Sequence, residues 1–93
     1  MARIGNRNRG KLTLVRLKFL ARYAELVGLE EMELPLPQPA TVAEIVRQAK
    51  HQLPAARQLP EHPLAAVNLH HVQLDATVRD GDEVALLPPL AGG

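Results

Sequence analysis

Residues 40–54, ATVAEIVRQAKHQLP, hold the pattern from which the fold is read. Thr41 is a good helix N-cap because its hydroxyl accepts from an otherwise orphaned backbone N–H. Glu44, three residues on, completes a capping box. Val42, Ile45, Val46, Ala49 and Leu53 then recur at helical spacing and make one apolar stripe. Pro54 has no N–H to give and ends the helix.

Outward from this helix, the segments alternate between extended and helical spacing. Toward the N-terminus, residues 12–20 (LTLVRLKFL) read as a strand, with Val15, Leu17 and Phe19 on one face and Arg16 and Lys18 on the other. Residues 20–27 (LARYAELV) switch to helical spacing, with Leu20, Ala24 and Val27 on one stripe and Gly28 as the residue that ends it. Residues 31–36 (EMELPL) form a second extended segment. Pro35, Pro37 and Pro39 cannot donate ladder hydrogen bonds, so an edge strand that stops early is expected.

Toward the C-terminus, residues 54–63 hold three prolines and read as a loop. Residues 64–68 (LAAVN) and 71–74 (HVQL) read as a hairpin around Asn68, which tolerates left-handed geometry. Arg79-Asp80-Gly81-Asp82 is a turn with Gly81 at positive φ, and residues 83–87 make the last strand. The order β-α-β-α-β-β-β predicts an α+β domain with a mixed sheet packed on helices. Val15, Leu17, Val42, Ile45, Val46, Ala49, Val67 and Val84 are its expected core.

Composition narrows the function. The 93 residues are 46% hydrophobic and 23% charged, which is enough apolar content for one small domain. Phe19 and Tyr23 are the only aromatics, so stacking platforms for single-stranded nucleic acid are lacking. Cys and Ser are absent, which removes disulfides, thiolate metal sites and the two commonest nucleophiles. The net charge of +1 is unevenly placed. Residues 1–11 carry Arg3, Arg7, Arg9 and Lys11 without an acid and read as a basic, disordered tail. The remainder is mildly acidic, which argues against a nucleic-acid-binding face. No apolar run suggests a membrane span or a signal peptide, so a cytoplasmic location is expected.

The inventory for catalysis is thin. His70 and His71 are strand neighbours that point to opposite faces, and His51 and His62 lack carboxylates at ligand spacing, so surface histidines and no metal are expected. Glu30, Glu31 and Glu33 read as a solvated edge. The end of the sequence is different. Pro88-Pro89-Leu90-Ala91-Gly92-Gly93 follows the last strand as an extended tail, its two prolines resisting fold-back and its two glycines narrow enough for a channel that admits no side chain. On the strand, Leu87 points away from Val84 and Leu86. Leu87, Pro88, Pro89, Leu90 and Ala91 are therefore the expected partner interface at the tail exit.

Residues 15–28 (VRLKFLARYAELVG), 40–48 (ATVAEIVRQ), 66–68 (AVN) and above all 78–93 (VRDGDEVALLPPLAGG) resemble the small-subunit family of molybdopterin synthase, MoaD. The resemblance begins at about residue 12, and the segment from Asp80 to Gly93 is its specific part. It implies a ubiquitin-like β-grasp over residues 12–87 and a reactive tail over 88–93. It also implies a sulfur carrier with no bound cofactor. An activating enzyme like MoeB uses ATP to adenylate the Gly93 carboxylate, a sulfurtransferase supplies sulfur, and Gly93 becomes a thiocarboxylate. Gly92 is its required small neighbour. The tail then enters a large subunit like MoaE and gives its sulfur to cyclic pyranopterin monophosphate, and two such transfers build the dithiolene of molybdopterin. On this reading the chain is a co-substrate subunit rather than a stand-alone catalyst. Carriers for thiazole synthesis or tRNA thiolation and protein-conjugating modifiers share the mechanism. Thiazole carriers are typically shorter, without a helix like 20–27, and the Pro-Pro-Leu-Ala run favours the molybdopterin branch. A small interaction domain with an incidental tail is the alternative of a different class.

Overall fold

The structure, a computed structural model, describes residues 12–89. The elements run β1 (Leu12–Phe19), α1 (Arg22–Val27), β2 (Glu31–Pro37), β3 (Ala40–Thr41), α2 (Val42–Gln52), a 3-10 helix (Pro54–Gln58), β4 (Leu64–Val67), β5 (His70–Val72), β6 (Thr77–Val78) and β7 (Glu83–Leu87). Five strands form one mixed sheet in the order β2-β1-β7-β4-β5, with β1 and β7 parallel and the other neighbours antiparallel. Helix α2 lies across one face of this sheet, and the architecture is a β-grasp.

The α2 N-terminus is built as its sequence predicts. The Glu44 N–H donates to Thr41 Oγ1 at 3.3 Å and the Thr41 N–H donates to Glu44 Oε1 at 2.9 Å. Two further orphan donors at this end, the N–H groups of Val42 and Ala43, reach the carbonyls of Ala76 and Leu74. The segment before β6 is thereby bound to the helix start, and β3 pairs with β6 as a separate two-stranded sheet. These short strands add to the expected order; two residues carry no periodicity that could announce them.

Val42, Ile45, Val46 and Ala49 are buried, and they pack with Val15, Leu17, Phe19, Leu34, Leu36, Ala65, Val84 and Leu86 in the core. Val67 departs from expectation: it is only partly buried, packing against the margin of the core as the last residue of β4. Leu20 also departs. It is 38% exposed, and the stripe of α1 that faces the core is Tyr23 and Val27, with Ala24 partly buried. The cause is the late start of α1 at Arg22, after Ala21 at φ 54°, which leaves Leu20 outside the helix. Gly28 ends α1 at φ 87°, its N–H donating to the Ala24 carbonyl.

Strand β2 is an edge strand, but it does not stop early. It pairs with β1 through Leu12↔Pro37. Opposite Pro35, the Leu14 N–H and C=O are turned away from β2, toward Asp80 and Gly81. Pro35 therefore stands where the ladder asks for no donor. Residues 54–63, expected as loop, begin with the 3-10 turn at Pro54, where a proline at the first helical position leaves no bond unmade. Among the described residues no helix is long and apolar enough to cross a membrane.

Candidate functional site: the tail exit and the open sheet face

Strand β7 leads to Pro88 and Pro89, and its position is fixed at both flanks. On one side, the Arg79–Asp82 turn uses its carboxylates as backbone partners. The Arg79 N–H donates to Asp82 Oδ2 at 2.8 Å, and the Leu14 N–H of β1 donates to Asp80 Oδ1 at 2.8 Å. Gly81, at φ 89°, donates its N–H to the Leu14 carbonyl at 2.8 Å, and the Arg16 N–H donates to the Asp82 carbonyl at 3.0 Å. On the other side, Asn68 closes a ring with the start of β7. Its N–H donates to the Glu83 carbonyl at 2.8 Å, its Oδ1 accepts from the Glu83 N–H at 3.0 Å, and its Nδ2 donates to Asp82 Oδ1 at 3.0 Å. The turn was legible from Gly81. The clamping roles of Asp80, Asp82 and Asn68 were not, and the signal that pointed toward them was the Asx-rich D-G-D run.

At the other end of β7, the Leu20 N–H donates to the Leu86 carbonyl at 3.0 Å. Pro88 and Pro89 follow with no N–H to continue the ladder. Pro88 is half-buried and Pro89 is exposed. Pro89 borders a groove of about 580 Å³ between α1 and the 3-10 helix, lined also by Arg22, Tyr23, Leu26, Gln58 and Pro60. The remaining expected site residues, Leu90, Ala91, Gly92 and Gly93, lie outside the described residues, as does the basic segment 1–11.

Val84 and Leu86 are fully buried, so Ala85 and Leu87 face the side of the sheet that α2 leaves open. There Leu87 is half-buried and stands opposite Leu64, which is 45% exposed. The next row crosses four strands: Lys18, Ala85, Ala66 and His71. Two adjacent alanines make a low floor beside the Leu64–Leu87 ridge. Below it, Glu83 holds two cations, Lys18 Nζ at 3.4 Å and Arg16 at 3.9 Å. Leu12 and Leu14 expose further apolar surface on the same face. His51, His62, His70 and His71 are all exposed, and among the described residues no three metal-binding side chains gather. Glu30, Glu31 and Glu33 are likewise exposed. The arrangement sets an apolar ridge and a low alanine floor beside the point where Pro88 and Pro89 follow β7.

The sequence model of the ThiS family matches residues 17–93. The chain belongs to that family. The molybdopterin synthase sulfur carrier subunit of Escherichia coli is 36% identical over 81 residues, covering 86% of this chain and 100% of the relative. Among solved structures, small archaeal modifier protein 1 of Haloferax volcanii superposes with a TM-score of 0.73 at 26% identity, covering 84% of this chain and 99% of the other. A complex of subunits 1 and 2 of the molybdopterin-converting factor from Helicobacter pylori shares the fold, with a TM-score of 0.60 at 22% identity and coverage of 87% and 100%. The ubiquitin-like β-grasp expected from the sequence is thus the fold of this ThiS-family chain.

Proposed function

We propose that this chain is the sulfur carrier subunit of molybdopterin synthase, acting in the cytoplasm as a co-substrate. The observation that carries the reading is the family match through Gly92-Gly93, over a sequence aligned with the full length of the Escherichia coli carrier subunit. Gly93 is the reacting residue. A carboxylate is a poor electrophile, so an activating enzyme like MoeB first joins it to AMP, consuming ATP and releasing pyrophosphate. The outer sulfur of a sulfurtransferase persulfide then attacks the adenylate and expels AMP, and a thiol cleaves the acyl disulfide so formed, leaving a thiocarboxylate on Gly93 and a disulfide on the sulfurtransferase. This chain has no thiol of its own, so its sulfur-bearing position is that terminal carbonyl.

The chain's own residues bind and position. The clamps at Asn68, Asp80 and Asp82 fix β7, the prolines lead the tail off the sheet, and Leu64 and Leu87 offer an apolar surface beside the exit. The receiving partner is a large subunit like MoaE, which holds cyclic pyranopterin monophosphate and takes the sulfur. The Helicobacter pylori relative, solved with a second subunit, is consistent with such a pairing. Incubation with the activating enzyme, ATP, a sulfurtransferase and cysteine tests the reading. Intact mass should rise by the exchange of one oxygen for sulfur at the C-terminus, and an unchanged mass would contradict it.

A second reading, a protein modifier joined through Gly93 to lysines, is favoured by the likeness to small archaeal modifier protein 1. It predicts heavier conjugates with cellular proteins and no pterin product.

A further inference from the structure

Asn68 and Leu69 make the two-residue turn between β4 and β5, and both have positive φ, 49° and 75°. Such a turn suits Asn followed by Gly, since a side chain at the second position crowds its own backbone. Asn68 tolerates the geometry and is held in it by its three hydrogen bonds to Asp82 and Glu83. Leu69 gains nothing comparable. It is 88% exposed, the most exposed large apolar side chain among the described residues. The fold thus strains the backbone at a leucine and then leaves that leucine in water. A strained position held rigid by its surroundings is a common sign of use, and a rigid apolar tip is pre-organised for a partner.

The location selects the partner. Leu69 lies at the end of the β4–β7 ladder opposite the tail exit. From the Leu64–Leu87 row to the Asn68–Glu83 end is four residues of β7, or roughly 13 Å. A stable protein–protein contact covers about 800 Å² on each side, a patch roughly 30 Å across. A protein that receives the tail and lies on the open sheet face therefore reaches the hairpin tip as well. Apolar Leu12 and Leu14 stand on the same open face. We infer that Leu69 is a second anchor for the protein that receives the tail, seated in an apolar socket at the far end of that contact.

The inference rests on the carrier reading above, and its test separates the two. Binding of the full chain to the large subunit of the same organism's molybdopterin synthase is measured by calorimetry for the natural sequence and for Leu69→Asn. Asparagine accepts left-handed geometry and removes the apolar tip. The expected result is a melting temperature equal to or above that of the natural chain, with affinity weakened about tenfold. Equal affinity for both chains overturns the anchor and leaves the carrier reading standing. Absence of binding by the natural chain overturns both. If Leu69→Asn abolishes self-association in sedimentation runs while large-subunit affinity is unchanged, the tip serves a second copy of the chain, and the inference is wrong.

Discussion

Leu64 stands directly opposite Leu87 across the β4–β7 ladder, on the sheet face that α2 leaves open. Their apolar ridge sits at the point where Pro88 and Pro89 lead the chain off the sheet. Leu87→Asp should therefore weaken large-subunit binding by about tenfold or more, with the circular dichroism spectrum unchanged. An unfolded variant would place Leu87 in the structural core instead.

Ile45 is fully buried at the centre of the α2 stripe, facing the sheet. Ile45→Ala removes its outer carbons and leaves a cavity, so urea titration should show a loss of about 2–5 kcal/mol. A loss well below this range would mean that the helix can settle onto the sheet without it.

Thr13 is fully buried on β1, and its hydroxyl finds no hydrogen-bond partner among the described residues. An unmade hydrogen bond of this kind costs about 1–3 kcal/mol. Thr13→Val keeps the shape and removes the polar atom, so it should stabilise by about 1 kcal/mol, raising the melting temperature by about 4–8 °C in a domain of this size. A lowered melting temperature would show that the hydroxyl is paired.

What was legible in the sequence was local. The α2 stripe and its Thr41–Glu44 box lie within twelve residues of each other, and the alternation of β1 names its own buried face. The features that escaped depend on distant partners. Asp80 acts on Leu14, 66 residues away, and Asn68 on Glu83, 15 residues away. No spacing rule links them. The β3–β6 pair is too short to carry a period, and the prolines of residues 54–63 masked a helical turn that Pro54 starts. Leu20 shows a related limit: its spacing suited the α1 stripe, but positive φ at Ala21 placed it outside the helix. At the candidate site, Leu87 followed from strand parity alone. The chemistry proposed for Gly93 rests on resemblance, because a terminal carboxylate has no spacing to read.

Gly92→Val leaves the terminal carboxylate in place and adds a β-branched side chain where a narrow channel is expected. The variant should fold like the natural chain and fail to deliver sulfur. Mass spectrometry of the thiocarboxylate, followed by assay of the pterin product, checks this. Product formation at the natural rate would mean that the receiving channel admits side chains.

The most direct test of the account follows sulfur from Gly93 to the pterin. The thiocarboxylated chain is mixed with the large subunit and cyclic pyranopterin monophosphate, and dithiolene product is counted against carrier consumed. The account predicts one sulfur delivered per carrier chain, with Gly93 returned as a carboxylate. It also predicts no delivery from a chain lacking Gly93, whose carboxylate is drawn back by up to about 3.5 Å. Delivery at the natural rate by the shortened chain, or thiocarboxylate that persists beside unconverted pterin, would contradict it.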